Sequence, residues 1–204
     1  MDRVCSSKGI AKVRAELLKD VAGTGLEIGF GSGTNLPFFS RDTQKLIALD
    51  PAKLGRSLAK DRLGAVSFPV EFIEYDDSGN LPLPDKSLDF VVSTFTLCTV
   101  ADLSKTLSEA GRVLRPGGKL YFLEHGKSPE KCVAFWQDKL TPLQKFVAGG
   151  CHLNRDIGAI VQKEGFKTDS LEKFYIKGPK IGAYLYKGVA FPPKDTRLLD
   201  QLPL

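Results

Sequence analysis

The sequence predicts an α/β fold with a doubly wound, mostly parallel sheet and helices on both of its faces. Three observations support it: apolar strand patterns alternate five times with helical patterns, the first strand leads directly into a glycine-rich loop, and acidic residues follow several strands. A chain of 204 residues can bury one full core but not two sizeable ones. We therefore expect one domain over residues 1–190 and a poorly ordered tail over 191–204.

The elements of the first half follow from apolar spacing and from turn residues. A helix over 10–21 precedes the first strand, Leu26-Glu27-Ile28, and a second buried strand runs from Lys45 to Asp50. Pro51 ends the hydrogen-bond ladder of that strand, because proline has no backbone N–H. A helix over 53–63 and a third strand over 70–75 complete this half.

The second half begins with an almost unbroken apolar strand over 88–94 and a helix over 103–114, which Arg115-Pro116-Gly117-Gly118 stops. A fifth strand covers 119–123. Two helices, 133–147 and 155–164, and two antiparallel strands, 169–176 and 181–189, follow it. The predicted sheet therefore has seven strands.

The glycine loop indicates a nucleotide-type ligand. Glycine at positions 29, 31 and 33 permits positive φ and close approach of a ligand to the main chain, and Thr34 and Asn35 suit the start of a helix whose N–H groups face that ligand. A dinucleotide-binding loop would place its third glycine at position 34, which is Thr34 here. Glu27 suits a cationic amino group, which S-adenosylmethionine has and a pyrophosphate lacks. A glycine-rich turn without any ligand is the remaining alternative.

Charge, cysteine spacing and hydropathy narrow the function classes. The net charge of +5 is spread among interleaved acids and bases, so we expect no nucleic-acid surface. Four scattered cysteines, Cys5, Cys98, Cys132 and Cys151, have no CxxC spacing, so we expect free thiols, no metal site and no disulfide framework. No apolar run approaches the length of a membrane span and the first twenty residues do not resemble a signal peptide, which predicts a cytoplasmic protein.

Several motifs together resemble the class I S-adenosylmethionine-dependent methyltransferases over roughly residues 10–190. They are the glycine loop from Glu27 to Gly33, Asp50, Asp77, Leu81-Pro82, Leu88-Asp89 and the turn from Leu114 to Gly118. Within that class the chain is similar to the "type 11" enzymes and to the branch that includes alkyl-thiol methyltransferases. That narrower match rests on residues 96–100, 122–125, 135–136 and 150–155. The chain differs from the branch in having Phe30 where a cysteine is more frequent and in lacking the hydrophobic anchor of its animal members.

The resemblance implies a Rossmann-like fold and assigns roles to individual residues. Glu27 would face the methionyl ammonium of the cofactor, Asp50 would accept both ribose hydroxyls, and Asp77, with Asp76 beside it, would take the adenine amino group. A helix cap is the alternative for Asp50, and a solvated turn is the alternative for the other two. The complete predicted cofactor site comprises Glu27, Gly29, Phe30, Gly31, Gly33, Asn35, Asp50, Pro51, Asp76, Asp77, Ser78, Thr94 and Phe95.

Methyl transfer needs placement more than acid or metal catalysis, and a base only for an acceptor that is protonated at neutral pH. A thiol, with a pKa of about 8.5, is such an acceptor. His125 is the candidate catalytic base and His152 the weaker one, with a purely structural histidine as the alternative for each. Cys98 is expected to pack in the core. Phe135, Trp136 and Phe146 are either core residues or walls of an apolar acceptor pocket, roofed by residues 130–154 or left open.

Three functions are consistent with these motifs. The first is a methyltransferase that acts on a small molecule with an apolar or thiol acceptor. The second is methylation of a lipid or quinone-like substrate through peripheral contact with a membrane surface, and the third is S-adenosylmethionine binding without catalysis. The acceptor atom and the oligomeric state are not fixed by these residues.

Overall fold

A computed structural model of the chain describes residues 7–50, 53–75 and 79–193. Its centre is one seven-stranded sheet, which confirms the predicted fold class. The strands are β1 (Gly23–Ile28), β2 (Thr43–Leu49), β3 (Val70–Ile73), β4 (Leu88–Thr94), β5 (Leu114–His125), β6 (Lys167–Tyr175) and β7 (Tyr184–Phe191). The α-helices are α1 (Lys8–Leu18), α2 (Lys53–Leu58), α3 (Lys60–Leu63), α4 (Leu103–Val113), α5 (Lys131–Val147), α6 (Ile157–Lys163) and α7 (Lys180–Ala183).

The strand order is β3-β2-β1-β4-β5-β7-β6. The first five strands are parallel, and β7 pairs antiparallel with both β5 and β6. The chain winds outward in one direction from β1 to β3 and in the other direction from β4 onward. The crevice at the carboxyl ends of β1 and β4 is therefore the switch point at which ligands of such sheets bind.

Both faces of the sheet are covered, because successive side chains of a strand point in opposite directions. In β2, for example, Leu46 and Ala48 belong to one apolar cluster, while Ile47 and Leu49 belong to another on the opposite face. Burial on both sides explains why these strands are nearly continuous apolar runs in the sequence.

Three local predictions were wrong. The glycine loop is followed by a short 3₁₀-helix, Leu36–Phe38, instead of an α-helix. The predicted helix over 53–63 is two helices, α2 and α3, separated at Ala59. Residues 115–118, which were predicted to end a helix, lie within β5. They form an irregularity of the strand, because Leu88 pairs with Leu114 and Phe90 pairs with Lys119.

The final strands also differ from the prediction. Only β7 runs against the rest of the sheet, since β6 pairs antiparallel with β7 and so lies parallel to the first five strands. Phe191 still belongs to β7, one residue beyond the predicted domain boundary. Residues 194–204 of the predicted tail lie outside the described residues.

Candidate functional site

The glycine loop is fastened to the end of β2 at the carboxyl edge of the sheet. The N–H groups of Gly29 and Phe30 both donate to the carbonyl oxygen of Leu49, at 2.8 and 3.2 Å. The Gly31 N–H donates to Asp50 Oδ2 at 2.5 Å. One oxygen of the Asp50 carboxylate therefore shapes the loop.

Two glycines of this loop have different physical reasons to be glycine, although both have positive φ. A Cβ on Gly29 would lie 2.0 Å from Oγ1 of Thr96, so packing against the loop after β4 excludes a side chain there. A Cβ on Gly31 would meet no atom within 4 Å. The space beside Gly31 is therefore open, as the predicted cofactor requires.

Glu27 has an incomplete hydrogen-bond set. Its side chain is 1% exposed, and Oε1 accepts a hydrogen bond from Asn35 Nδ2 at 2.7 Å. Its other oxygen, Oε2, is buried and has no hydrogen-bond partner among the described residues. Burial raises the pKa of Glu27 to about 8, against the opposing effects of the Asn35 hydrogen bond and the nearby Arg14 charge. A buried carboxylate oxygen without a donor fits the ammonium group of S-adenosylmethionine.

A buried arginine that sequence analysis missed supports this region. Arg14, on α1, is 2% exposed and donates from Nη1 to Thr94 Oγ1 at 2.7 Å and to Asn35 Oδ1. Asn35 Nδ2 also donates to Thr94 Oγ1, at 3.0 Å. The position of Arg14 was predictable, since it lies four residues after Ile10 and therefore on the same face of the helix. Apolar spacing alone did not reveal it because arginine is charged.

The remaining predicted cofactor residues are placed differently. The side chain of Phe30 is 2% exposed and packs edge-on against Phe72, with ring centroids 5.2 Å apart. Only the main chain of Phe30 is therefore available to the proposed cofactor. Phe95 follows β4 with a positive φ of 55°, and its ring lies 5.4 Å from the guanidinium carbon of Arg14. Pro51 and residues 76–78 (Asp76, Asp77 and Ser78) lie outside the described residues.

Glu124, in β5, fixes the loop that follows β4. It is fully buried, and its Oε1 accepts hydrogen bonds from the N–H groups of Thr96 and Leu97, both at 3.0 Å. Its Oε2 accepts from the N–H of Cys98 at 3.2 Å. Burial raises the pKa of Glu124, while these hydrogen bonds to the carboxylate oppose that shift. Glu124 therefore acts on the site by holding the backbone that carries Cys98.

The predicted base, His125, lies in contact with two cysteines. It ends β5 and is 8% exposed, and its Nε2 and Nδ1 lie 3.3 and 3.6 Å from Sγ of Cys151. Cys151 Sγ lies 3.7 Å from Cys98 Sγ. Cys98 and Cys151 are both free thiols and both buried. Cys98 was expected to pack in the core, and no sequence pattern indicated that it would contact Cys151 and His125.

The two thiols titrate as a pair. The hydrogen bond with Cys98 and the contact with His125 lower the pKa of Cys151, while burial opposes them. The contact with Cys151, together with burial and the Glu124 charge, raises the pKa of Cys98. The contact between the two thiols therefore shifts their pKa values in opposite directions.

The segment after α5 closes over this cluster. The N–H of His152 donates to the carbonyl oxygen of Cys98 at 2.8 Å, and the guanidinium of Arg155 donates to those of Leu97 and Val100 at 2.6 and 2.9 Å. His152 faces this backbone, with its Nδ1 3.3 Å from the same Cys98 oxygen, a contact that favours the structural interpretation of this residue.

The outer side of α5 is apolar and exposed. Phe135, Trp136, Leu143, Phe146 and Val147 are between 50% and 88% exposed, and we call these five residues the apolar face of α5. Of the two interpretations of Phe135, Trp136 and Phe146, placement in the core is therefore wrong, and a wall of an acceptor pocket stays a prediction. Among the described residues, no helix combines the length and apolar character needed to cross a bilayer.

Comparison with known proteins agrees with this geometry. Residues 26–122 match a family model described as a methyltransferase domain. The fold resembles a solved S-adenosylmethionine-dependent methyltransferase from Thermotoga maritima, with a TM-score of 0.66, 20% identity and coverage of 93% of each chain. The fold is that of the class I S-adenosylmethionine-dependent methyltransferases, as the sequence predicted.

Within that class, the sequence is similar to two thiol S-methyltransferases. It is 35% identical to TMT1B of Rattus norvegicus over 166 residues, which cover 76% of this chain and 66% of the rat protein. It is 32% identical to human TMT1A over 162 residues, covering 76% of this chain and 63% of the human protein. The chain thus spans slightly less than two thirds of the length of these relatives.

Proposed function

We propose that this protein transfers the methyl group of S-adenosylmethionine to a small-molecule thiol. The observation that carries the cofactor assignment is the buried, unpartnered Oε2 of Glu27 beneath a glycine loop with open space at Gly31. Similarity to two proteins named thiol S-methyltransferases supports the acceptor class.

Each end of the cofactor has a proposed partner. Glu27 would pair with the ammonium group, and the loop from Gly29 to Gly33 would contact the methionyl and ribose parts through its main chain. Asp50 would accept hydrogen bonds from the ribose hydroxyls, while its Oδ2 already accepts one from Gly31. When bound, S-adenosylmethionine supplies a methyl group on a cationic sulfonium, so its departure needs no acid.

His125 is the proposed catalytic residue on the acceptor side. It lies at the carboxyl end of β5, next to the strand whose final residue is Thr94. A thiol must lose its proton before it attacks, and the buried contacts of His125 with Cys151 support a role in which the imidazole acts together with the cysteines. Acceptor activation is therefore assigned to the group formed by His125, Cys98 and Cys151.

The cofactor assignment is tested with Gly31→Ala, using Gly117→Ala as the matched control. Both glycines have positive φ, and a Cβ at either would meet no atom within 4 Å, so the backbone strain is similar, about 1 kcal/mol. Gly117 lies at the start of β5, far along that strand from the glycine loop. Calorimetry should show at least tenfold weaker S-adenosylmethionine binding for Gly31→Ala and unchanged binding for Gly117→Ala. Equal affinities would contradict the proposed cofactor position.

The acceptor assignment is tested with a panel of small alkyl and aryl thiols and their alcohol and amine counterparts. Release of S-adenosylhomocysteine should require a thiol and should fall at least tenfold in His125→Ala. Turnover of amines or alcohols in preference to thiols would overturn the acceptor class without affecting the cofactor assignment. Cofactor binding without turnover of any compound would favour a non-catalytic role.

The apolar face of α5 favours a second candidate, in which the acceptor is an apolar molecule taken from a membrane surface. Helix α5 carries three lysines, Lys131, Lys139 and Lys145, and one acid, Asp138, so cations accompany the exposed aromatic side chains. This composition is typical of helices that lie at the headgroup level of anionic bilayers. Peripheral contact with such a bilayer is compatible with either a thiol or a lipid-like acceptor.

A further inference from the structure

Cys98, His125 and Cys151 form a cluster of donor atoms that methyl transfer by itself does not require. Their ligand atoms, two sulfurs and one imidazole nitrogen, all lie within 4.8 Å of one another. The three residues are at most 8% exposed. Buried polar clusters are costly unless their partners are satisfied, so this arrangement calls for a physical explanation.

The cluster is assembled from three separate parts of the fold. Cys98 lies in the loop after β4, His125 ends β5, and Cys151 follows α5. Hydrogen bonds fix these parts relative to one another. Glu124, which precedes His125 in β5, accepts the N–H of Cys98, and the N–H of His152 donates to the Cys98 carbonyl oxygen, which ties the Cys151 segment to the same loop. The expectation of no metal site was based only on the spacing of cysteines along the sequence. These three residues are far apart in sequence, so their spacing could not indicate the cluster.

Two of the three distances between donor atoms match those of a tetrahedral site for a soft metal ion, and the third, between Cys98 Sγ and the His125 nitrogen, is at most 4.8 Å. Around zinc, with Zn–S of about 2.3 Å and Zn–N of about 2.0–2.1 Å, two sulfurs lie about 3.7 Å apart and a sulfur and a nitrogen about 3.5 Å apart. In this protein the two sulfurs are separated by 3.7 Å, and Cys151 Sγ lies 3.3 Å from His125 Nε2. Thiolate and imidazole donors also favour zinc, whereas magnesium and calcium prefer oxygen ligands.

We propose that Cys98, His125 and Cys151 bind a zinc ion and leave its fourth position open. Two cysteines and one histidine with an exchangeable fourth ligand form a known catalytic type of zinc site, in contrast to closed four-ligand structural sites. The ligand for the fourth position is a water molecule or a small thiol.

The part of this proposal that concerns the thiol rests on the proposed function, whereas metal binding itself does not. On coordination, the S–H bond of the acceptor breaks and its proton leaves to solvent, so the sulfur binds zinc as a thiolate. The new bond forms between that sulfur and the methyl carbon while the methyl–sulfonium bond breaks. Its electron pair stays on the departing sulfur of S-adenosylhomocysteine. His125 then serves as a neutral metal ligand.

Metal content and cobalt spectroscopy test the site in the full-length, reduced protein. Zinc should co-purify at close to one equivalent per chain. Cobalt(II) added to protein stripped of metal should produce the ligand-field bands of a tetrahedral ion together with thiolate-to-cobalt charge-transfer bands. A small thiol should shift these bands, and its alcohol analogue should not.

Variants separate the cluster from the rest of the chain. Cys98→Ser, Cys151→Ser and His125→Asn should each lose at least tenfold in cobalt affinity. Cys132→Ser should bind cobalt like the wild type, because Cys132 is exposed and outside the cluster. Binding of S-adenosylhomocysteine by calorimetry serves as the check of folding and does not depend on turnover.

Wild-type protein that binds S-adenosylhomocysteine but shows no thiolate-bound cobalt would overturn the metal site and leave the proposed function intact. A Cys98–Cys151 disulfide in the purified protein, with no metal uptake after reduction, would also overturn it. If no thiol changed the cobalt bands, the open fourth position would be excluded and the ion would be purely structural.

Discussion

At the scale of single residues, the protonation state of Glu27 is expected to depend on whether the cofactor site is empty or occupied. Its pKa rises from an ordinary value of 4.5 to about 8, chiefly because the side chain is removed from water. Near neutral pH the carboxyl group is therefore mostly protonated while Oε2 lacks a donor. A cationic ammonium placed beside Oε2 would favour the carboxylate, so ligand binding would release a proton.

We predict that binding of S-adenosylmethionine near pH 7 releases protons in the wild type and not in Glu27→Gln. Calorimetry in buffers of different ionisation enthalpy measures this release directly. Glutamine keeps the shape of the side chain and its acceptor for Asn35 but cannot ionise. The same number of protons released by both proteins would show that Glu27 does not face the ammonium group.

Protein stability provides an independent check of the same residue. Between 4.5 and about 8 the folded protein holds a proton on Glu27 that the unfolded chain has lost, so the free energy of unfolding falls as pH rises through this window. The slope from one such group approaches about 1.4 kcal/mol per pH unit. Chemical denaturation at several pH values should show a smaller fall for Glu27→Gln.

Sequence patterns identified the site residues that lie next to recognisable elements. Glu27, the glycines and Asp50 lie within or directly after predicted strands, so the rule on carboxyl ends was enough to bring them together. Arg14 and the pair of Cys98 with Cys151 could not be found in this way. Helical spacing places Arg14 on the buried face of α1, but the contacts of Arg14, like the contact of Cys98 with Cys151, join elements far apart in sequence, and a single sequence does not reveal them.

At the scale of elements, α4 fastens the segment that leads into β4. Arg112 donates to the carbonyl oxygens of Leu81 and Leu83 at 2.9 and 2.8 Å. Its Nε and Nη2 also bind both oxygens of Glu109, at 2.8 Å each. Glu109 Oε2 in turn accepts the N–H of Leu81 at 2.7 Å. The Leu81-Pro82 motif is therefore held by a two-residue clasp on one face of a helix.

We predict that Arg112→Ala lowers the free energy of unfolding by about 2 kcal/mol or more, because it leaves the buried Glu109 carboxylate without its main partner. Arg112→Lys should lose an intermediate amount, since lysine keeps the charge but not the planar fork. Urea denaturation measures both changes.

Lys180→Ala is the control for this clasp. Lys180 binds both oxygens of Glu130 at 2.8 Å, but the two side chains are 61% and 43% exposed. Exposed ion pairs contribute little to stability, because water screens the charges and ordering two long side chains costs entropy. If Arg112→Ala cost no more than this control, the clasp would not be a source of stability.

Element types were predicted better than element ends. Apolar runs bounded by turn residues identified every strand of the sheet, but the glycine at position 117, with φ of 85°, continues β5 through an irregular step where a stop was expected. Gly-rich turns and bulged strands have the same residue requirements, so a sequence cannot distinguish them without the partner strand. The direction of β6 was likewise set by its pairing with β7.

At the scale of the whole molecule, the largest group of exposed apolar side chains among the described residues lies on α5, outside the two buried clusters. The apolar face of α5 includes Phe146, which is 88% exposed, and Lys139 Nζ lies 5.7 Å from the ring of Phe135. On its inner side, Gln137 is fully buried and donates to the carbonyl oxygens of Gly126 and Ile181. The helix is therefore held firmly in place while its outer face has no apolar neighbours to cover it among the described residues.

We predict that this face binds anionic bilayers. In flotation experiments the wild type should rise with vesicles that contain phosphatidylserine and remain below with pure phosphatidylcholine, and added salt should weaken binding because lysines contribute to it. Phe146→Asp should reduce the bound fraction at least several-fold. Leu54→Asp, which changes a 71% exposed apolar residue of α2, should bind like the wild type. Equal flotation of both variants would contradict the assignment. A dimer in sedimentation experiments that Phe146→Asp dissociates and Leu54→Asp does not would also contradict it, because a second copy of the chain would then cover the apolar face of α5.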